Sequence, residues 1–428
     1  MGASGISMAT DDNVIEFKTG AWKSSEMVAS YASRMHENRG TNRLKNRVEI
    51  ALCRDNVRGT RIVDVGVGTG RGSLPLARDG FEVTGIDISQ AMLDHCRREA
   101  GETPIELLLG DLTALPVESE SFDSLLSLNV VVHFPNWRDV LRDWARVVKP
   151  GGRLVFDVHS FDHLVEVARA RGCEPADLLT KEQREDPGAY MLRIAALDVA
   201  ETAESLGLCV RKLVPYAAVL GGGNANYWLQ DSRLWGYLGD RALSWMAVDE
   251  KLFSFGSFVE EQLIARLSTS ATGRFMVVLE KLNDPAHTRG VLAYEKAIGA
   301  AFAGGARFES IRAVVGPEAV TWPHALTEHL EHAPNRTLLA MMLSSSAALH
   351  LRPLFEDMIG VPAAAELYEG NRLQRADDRV AAFLRSWRTA LSHPDHFIFR
   401  GVDAGRALEY DLMREMLDIE HFKREPGV

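Results

Sequence analysis

The chain has 428 residues, and at about 150 residues per domain this length indicates two or three domains. Its 46% hydrophobic and 25% charged residues are typical of a globular protein. No apolar run approaches the roughly 20 residues that span a bilayer, and the net charge of −11 argues against binding to phosphate backbones. We therefore expect neither a membrane nor a nucleic-acid partner.

The cysteines are few and scattered along the sequence, at Cys53, Cys96, Cys173 and Cys209. Because no two of them form a Cys-x-x-Cys pair, the sequence indicates neither a disulfide framework nor a zinc site. The N-terminal residues lack the charge and the apolar centre of a signal peptide. These features predict a cytoplasmic protein, and the frequent Arg and Ala suggest a bacterial source rich in GC.

A basic stretch lies near the N-terminus, where eight basic residues stand against three acidic ones between positions 34 and 61. A helix is predicted over 42–55 from an apolar stripe at i, i+4 and i+8, formed by Leu44, Val48 and Leu52. The basic residues are then either the solvated face of that helix or contacts for an anionic substrate, such as a phosphate or a nucleotide sugar. Surface helices are commonly this charged, which favours the first interpretation.

The most informative stretch begins with an apolar run of β-branched residues that contains Asp64 and continues into alternating glycines at Gly66, Gly68 and Gly70. The run is typical of a buried parallel strand, and the glycines are typical of a backbone that lies close to a ligand. A helix can start at Ser73, and the order strand, glycine loop, helix is where a doubly wound sheet holds a nucleoside. The dinucleotide fingerprint fails at its third glycine, and a turn that binds nothing is the alternative.

Four further segments continue this pattern. The stretch 81–87 predicts a strand that ends at Asp87, 21 residues after Gly66, where a carboxylate can accept hydrogen bonds from both ribose hydroxyls of an adenosine. Ser89 is placed to cap the helix that follows. The other three predicted strands are 105–109, 122–129 and the part of 147–157 that follows a Pro-Gly-Gly turn.

Taken together, these segments resemble the class I S-adenosylmethionine (SAM) dependent methyltransferases over about residues 25–282, with the motifs concentrated in 61–158. The resemblance implies an α/β fold, a Rossmann-like doubly wound sheet of seven strands. Predicted strands at 208–216 and 274–281 complete that sheet, and a shorter one is predicted within 191–197. The implied cofactor is SAM, with S-adenosylhomocysteine as its product.

The resemblance also implies which residues contact the cofactor. An acid such as Asp64 helps to hold the methionine ammonium group, Asp111 meets the adenine amino group, and the backbone of Leu112 meets a ring nitrogen. An N-terminal aromatic residue, Tyr31, often closes over SAM in this family, and Trp22 is placed to do the same. The full set of expected contacts is Tyr31, Asp64, Gly66, Gly68, Gly70, Asp87, Ile88, Asp111, Leu112 and Asn129.

Two histidines are candidates for a catalytic base. His133 follows the fourth strand and His159 follows the fifth, so both are expected at the sheet edge that faces the methyl group. A hydroxyl acceptor needs a base whose pKa lies near neutrality, and histidine is the usual choice. A packing or capping role for either ring is the alternative.

An aromatic insert at 221–265 separates the last two strands. It opens with three glycines and carries Tyr227, Trp228, Trp235, Tyr237, Trp245, Phe253, Phe255 and Phe258. Such inserts commonly build a substrate pocket or a lid in this family. The alternative is a pair of amphipathic helices that pack these aromatic rings into a core or an oligomer interface.

The remaining sequence, 291–428, follows a linker and predicts a mainly helical domain, with a possible strand at 310–315. The predicted helices are 291–303, 324–333, 336–350, 352–359, 376–391 and 404–420. His324, Glu328 and His332 share one helix face, but eight residues of helix span about 12 Å, too far for both histidines to bind one ion. We predict no metal site.

We therefore expect an N-terminal segment or lid at 1–40, a SAM-binding domain at 41–282 and the helical domain at 291–428. The predicted activity is methyl transfer to oxygen or nitrogen of a small-molecule acceptor, such as a sugar or a secondary metabolite. The alternatives are aminocarboxypropyl transfer or cyclisation of SAM, and a non-catalytic SAM-binding scaffold whose helical region binds a protein. A homo-oligomer is possible.

Overall fold

The computed structural model describes residues 11–22, 25–34, 40–218, 246, 248–282, 296–301, 307–332, 334–336, 338–339 and 352–360. These residues separate into two compact units, Met1–Ala217 with Ile264–Gly299 and Ala218–Leu263 with Ala300–Val428. The residues of the insert up to Leu263 thus group with the C-terminal residues. Among the described residues, none of the helices combines the length and the apolar character needed to cross a membrane.

The first unit contains one sheet of eight strands. The strands are β1 (Arg61–Val65), β2 (Glu82–Asp87), β3 (Glu106–Leu109), β4 (Phe122–Ser127), β5 (Val148–Ser160), β6 (Arg193–Ile194), β7 (Leu208–Tyr216) and β8 (Arg274–Lys281). Their order is β3-β2-β1-β4-β5-β8-β7, with β6 paired to β5 outside this path. The pairs from β3 to β5 are parallel, whereas β8 runs antiparallel to both β5 and β7. The predicted Rossmann-like doubly wound fold is thus confirmed, with the short strand β6 added to the seven.

Helices connect and flank these strands. They are α1 (Asp11–Ala21), α2 (Ser25–Arg34), α3 (Gly40–Asn56), α4 (Ser73–Arg78), α5 (Gln90–Ala100), α6 (Trp137–Val147), α7 (Phe161–Arg171), α8 (Lys181–Glu185) and α9 (Ala196–Ser205). As predicted, Ser89 caps α5, because its side chain accepts a hydrogen bond from the N–H of Met92. An apolar cluster in this unit contains Trp144, which is fully buried with its ring edge-on to that of Phe156 of β5.

The second unit is helical where it is described. It contains α10 (Glu250–Phe258), a π-helical turn at Val259–Leu263, α11 (Phe308–Val315), α12 (Trp322–His329) and α13 (Arg352–Ile359). The predicted strand at 310–315 is wrong, since this stretch lies in α11. Phe308 and Ile311 are buried at helical spacing, and the carboxylate of Asp357 accepts a hydrogen bond from the N–H of Phe308.

Other helix predictions for the C-terminal region have different outcomes. The prediction at 352–359 coincides with α13, and 324–333 overlaps α12, which begins earlier because Pro323 occupies its first turn. The prediction at 291–303 agrees with the helical residues 296–301, whereas 376–391 and 404–420 lie outside the described residues.

Candidate cofactor and acceptor site

The glycine loop leaves β1 at the carboxyl edge of the sheet, between β2 and β4. Gly66, Gly68 and Gly70 all have positive φ values, which side chains other than that of glycine rarely tolerate. A Cβ atom at Gly66 would lie 2.4 Å from Cγ2 of Val130, whereas for one at Gly68 the nearest atoms among the described residues are the ring of Tyr31 and the carbonyl of Gly66, both at 3.9 Å. The loop is therefore packed tightly at its start and bare at Gly68, as the approach of a ligand to the backbone requires.

Two buried carboxylates flank this loop. Asp64 lies within β1, and Asp87 ends β2, where it accepts hydrogen bonds from the N–H groups of Gly68 at 2.8 Å and Ser89 at 2.9 Å. Burial raises the pKa of Asp64 to about 7 and also raises the pKa of Asp87, because the charged form loses its hydration. A cationic group in contact with Asp64 would offset that loss.

The end of β3 carries the third predicted acid. Asp111 is exposed, and its Oδ1 accepts hydrogen bonds from both the N–H and the hydroxyl of Thr113 at 2.8 Å. The next residue, Leu112, is buried, and its carbonyl accepts a hydrogen bond from the indole of Trp144 at 2.9 Å. Ile88 is half-buried after β2. The predicted contacts from β1, β2 and β3 are thus placed along one edge of the sheet.

Asn129 follows β4 in a left-handed backbone conformation, with φ +62°. Its N–H donates to Asp157 of β5, and its amide oxygen accepts from Lys45 of α3 at 3.2 Å and from Arg274 of β8. Its amide nitrogen is buried and has no hydrogen-bond partner among the described residues. Asn129 therefore links the predicted cofactor side of the sheet to the strands on its other side.

The N-terminal helices bring aromatic rings to this edge. Trp22, after α1, packs edge-on against Tyr31 of α2 with ring centroids 5.5 Å apart, and it lies 5.9 Å from the ring of His133. Lys18 of α1 donates a hydrogen bond of 2.6 Å to the carbonyl of Gly188. The two aromatic residues that were expected beside the glycine loop thus contact each other, and Trp22 also contacts the ring of His133.

The two candidate bases sit in a cationic environment. Burial lowers the pKa of His133 to about 3, and Lys18 and Arg274 add to this effect. Burial also lowers the pKa of His159 well below its ordinary value, with contributions from Arg274, Arg193 and Lys45. Both imidazoles are therefore neutral near pH 7 and only weak acceptors of a proton.

A buried network of charged and polar groups lies on the face of the sheet that is covered by α3. Arg71 of the glycine loop pairs with Glu49, and the hydroxyl of Tyr216 donates to Glu49 at 2.9 Å. Tyr216 and Arg274 both contact Asp157, at 3.3 and 3.1 Å. We call this set the buried network, and its members are Lys45, Glu49, Arg71, Asn129, Asp157, Tyr216 and Arg274.

The ion pairs within the buried network and the burial of its members together shift the pKa values of those members. Burial opposes the charge on Glu49, yet Arg71 and Lys45 hold its pKa at about 2. Burial lowers the pKa of Lys45 to about 8, although Glu49 favours its charged form. Sequence reasoning missed the network, because its residues come from distant segments. Asn129 was expected only as a cofactor contact, and the other signal was the basic stretch that contains Lys45, where a solvated face was the favoured interpretation.

The histidines and the acid on the shared face at 324–332 do not come together. Nε2 of His324 lies 3.3 Å from Glu328 in an exposed pair, whereas Nε2 of His332 lies 3.0 Å from Asp249, which caps α10. His329 packs against Phe255 and Phe258 of α10. No cluster of three metal-ligating side chains occurs within the described ranges. The other aromatic residues of the insert, from Tyr227 to Trp245, lie outside those ranges.

Comparisons with known proteins show which proteins this chain resembles. Residues 63–156 match the family model described as a methyltransferase domain. The chain is 36% identical to a ubiquinone biosynthesis O-methyltransferase of Alkalilimnicola ehrlichii, over 25% of this chain and 44% of that protein. It is 43% identical to a demethylmenaquinone methyltransferase of Tropheryma whipplei, over 24% of this chain and 43% of the relative.

A further relative and a solved structure extend the comparison. The 24-methylenesterol C-methyltransferase 2 of rice, Oryza sativa, is 28% identical over 46% of this chain and 54% of its own length. A solved SAM-dependent methyltransferase of Thermotoga maritima aligns with 45% of this chain and 82% of its own at 20% identity, with a TM-score of 0.35. The chain thus spans about half the length of the curated relatives it matches. Residues 63–156 thus match a methyltransferase domain, and the likeness to solved SAM-dependent methyltransferases concerns the fold.

Proposed function

We propose that the protein transfers a methyl group from SAM to oxygen or nitrogen of a small-molecule acceptor. The observation that carries the proposal is the joint placement of Asp64, the bare backbone at Gly68 and the carboxylate of Asp87 within the matched domain. Each fits one part of SAM. The glycine backbone suits the methionine chain, and the two acids suit the ammonium group and the ribose.

The roles of the other residues follow from their chemistry. Each oxygen of Asp87 can accept more than one hydrogen bond, so the bonds from Gly68 and Ser89 leave capacity for the ribose hydroxyls. Asp111 and the N–H of Leu112 would meet the adenine. When bound, SAM supplies a methyl group on a sulfonium, which already activates that carbon toward a nucleophile.

The chain's own contribution is then to position the acceptor and exclude water. Trp22 and Tyr31 form an apolar contact beside the glycine loop, and Lys18 holds α1 to Gly188. These contacts support a role for the N-terminal helices in covering the cofactor. Because His133 and His159 are weak bases, we propose that they position the acceptor more than they deprotonate it.

The names of three relatives refer to quinones and to a sterol, and these names support a small-molecule acceptor for this chain. The same domain could instead transfer the aminocarboxypropyl group, cyclise SAM or bind it without turnover. A cytoplasmic location and a homo-oligomer remain predictions from the sequence.

The test combines binding and product analysis on the full chain. Asp87→Ala removes charge-assisted hydrogen bonds and should weaken S-adenosylhomocysteine binding at least tenfold in calorimetry. The control is Asp94→Ala on α5, whose carboxylate is half-exposed and, within the described part of the chain, bonds to Gln90 and Arg97 of its own helix alone. Equal affinities for the two variants would contradict the site. Mass analysis of the nucleoside product separates the reactions, since methylthioadenosine in place of S-adenosylhomocysteine would refute methyl transfer.

A further inference from the structure

A row of polar side chains crosses the sheet where β5, β7 and β8 meet. His159 of β5 and Arg274 of β8 are Cα partners, and Arg274 is also the partner of Tyr216 on β7. On the other side of β5, His159 pairs with Arg193 of β6. Directly paired residues point to the same face of a sheet with Cα atoms about 5 Å apart, so these side chains are immediate neighbours.

Two members of this neighbourhood lack hydrogen-bond partners. His159 is 1% exposed, and neither of its ring nitrogens has a partner among the described residues. The amide nitrogen of Asn129, whose oxygen is bonded to Arg274, is also without a partner there. Buried donors without partners are costly, so their presence in a row with Arg274 indicates that a ligand supplies the missing acceptors.

The charges in the same place do not balance. The buried network holds three cationic side chains, Lys45, Arg71 and Arg274, against the carboxylates of Glu49 and Asp157. The buried carboxyl of Asp64 also acts on Arg71, but burial raises its pKa to about 7 and so reduces its negative charge. Arg274 and Arg193 are the paired neighbours of His159 on the two adjacent strands, and Asp157, which contacts Arg274, is the carboxylate on the same face of β5. An excess of positive charge beside unpartnered donors is complementary to an anion.

We propose that the acceptor substrate carries an oxyanion, a carboxylate or a phosphate, which binds to Arg274, His159 and the amide nitrogen of Asn129. The planar N–H fork of arginine suits either group. This inference rests on the proposed function for its biological setting, since it names the class of acceptor. The carboxylate of SAM itself is the competing ligand, because Asn129 is also an expected cofactor contact. It is a poorer candidate for His159, because most of the expected cofactor contacts follow β1, β2 and β3, and β4 separates β1 from the strand that carries His159.

The experiment uses the full chain saturated with S-adenosylhomocysteine, so that the carboxylate site of the cofactor is filled. Benzoate, inorganic phosphate and the neutral benzamide are titrated in a calorimeter. We expect benzoate or phosphate to bind at least tenfold more tightly than benzamide. Tighter binding of benzoate would indicate a carboxylate on the acceptor, and tighter binding of phosphate would indicate a phosphate group. His159→Leu and Arg274→Met should each weaken anion binding at least tenfold, while Arg142→Met, which removes an exposed charge on α6, should change it less than twofold.

Thermal stability provides a second measurement. If His159 had a purely structural role, its replacement would lower the stability, whereas the proposal expects no such loss. Since the ring of His159 has no partner among the described residues, His159→Leu should keep or raise the thermal midpoint while it weakens anion binding at least tenfold. A large loss of stability would show that protein groups satisfy the ring, and would overturn the proposal.

Three binding outcomes would also overturn it. They are equal affinity for benzoate and benzamide, equal effects of Arg142→Met and Arg274→Met, and anion binding that disappears when S-adenosylhomocysteine is present. The last outcome would assign the cations to the cofactor. If S-adenosylhomocysteine itself fails to bind, the proposed function fails, and the same titrations on the unloaded chain decide the anion site separately.

Discussion

The carboxylate of Asp87 accepts a hydrogen bond of 2.8 Å from the backbone N–H of Gly68. The acid at the end of β2 therefore fixes the loop that follows β1, in addition to its proposed contact with the ribose. The loop also rests on β2 through hydrogen bonds from the N–H groups of Gly66 and Val67 to the carbonyl of Ile86. A cofactor that engages Asp87 and the loop together would meet groups whose positions are already fixed relative to each other.

The raised pKa of Asp64 predicts that cofactor binding depends on pH. Below a pH of about 7 the buried carboxyl is protonated, and a bound ammonium group favours the ionised form. S-adenosylhomocysteine should therefore bind more tightly as the pH rises from 5.5 to 7.5, and it should release a proton at the lower end. Calorimetry in two buffers with different ionisation enthalpies measures that proton.

The control is Asp64→Asn, which has no carboxyl to titrate and isolates this effect from that of Asp87. Its affinity should be lower and vary less with pH. Stability gives the complementary sign. The folded pKa lies above the unfolded value of about 3.9, so the free energy of unfolding contributed by this group falls as the pH rises from 4 to 7. A wild-type affinity that is flat over this range would contradict the assigned contact.

Two neighbouring glycines should respond differently to the same substitution. Gly66→Ala places a Cβ atom 2.4 Å from Val130 at a positive φ, so it should lower the free energy of unfolding by roughly 2–5 kcal/mol. Gly68→Ala has its nearest described neighbours at 3.9 Å, so it carries only the backbone strain of about 1–2 kcal/mol. However, its methyl group would occupy the surface proposed for the cofactor.

Chemical denaturation and calorimetry separate these two effects. Gly68→Ala should weaken S-adenosylhomocysteine binding at least tenfold with the smaller loss of stability. In Gly66→Ala, the second substitution Val130→Ala should recover part of the steric cost, and a double-mutant cycle measures that part. Unchanged binding by Gly68→Ala would argue that the bare backbone has another purpose.

His133 is expected to contribute little as a base. A working general base is worth about 10²–10⁴ in rate, whereas a group whose pKa is about 3 holds the proton too weakly to supply this. His133→Gln should therefore lower kcat less than about tenfold once an acceptor is in hand. A hundredfold or larger fall in kcat would instead support the general-base role that the sequence suggested for His133.

The same variant tests the ionisation of His133 without an acceptor. The ring is neutral in the folded protein and gains a proton on unfolding below pH 6.5, so this group's contribution to stability is lost as the pH falls from about 6.5 toward 3. His133→Gln should lose less stability than the wild type between pH 7 and 5 in urea denaturation. His159 and His163, which are also buried, remain in both proteins and cancel in the comparison.

Trp22 is expected to support cofactor binding through Tyr31 and His133. Aromatic pairs contribute about 0.5–1.5 kcal/mol beyond their buried area, so Trp22→Ala should weaken S-adenosylhomocysteine binding by roughly three- to tenfold. The matched control is Phe17→Ala in the adjacent α1, where the ring is 50% exposed. A larger effect of Phe17→Ala would indicate that α1, rather than the ring contact, is what matters.

The strands and the glycine loop could be predicted because their signals are local. A continuous apolar run identifies β1, and the acids at Asp87 and Asp111 follow their strands at the expected positions. The helix over 308–315 could not be predicted in this way, because its type depends on burial against α13 and on a cap from Asp357. Short apolar stretches fit either structure until their partners are known.

The buried network shows the same limit at the candidate site. Nothing in the sequence distinguishes Lys45 from other lysines on a helix. The same holds for Tyr216 at the end of a predicted strand and for Arg274 at the start of another. Only the pairing of β5 with β8 and of β7 with β8 brings them around Asp157. Contacts between residues so far apart leave no periodic pattern in a single sequence.

The pairing of Tyr216 with Arg274 also bears on how this chain tolerates change. Strand β7 ends at Tyr216 and strand β8 begins at Arg274, and these two residues are paired neighbours in the ladder between the two strands. Whatever lies between them is therefore inserted at the open end of a hairpin, where its two attachment points are already close together. The intervening segment could be lengthened while the strand register stays the same, provided that residues 269–273, which bond to Ser160 and His163, are kept. A one-residue slip within β8, by contrast, would turn Arg274 to the opposite face of the sheet.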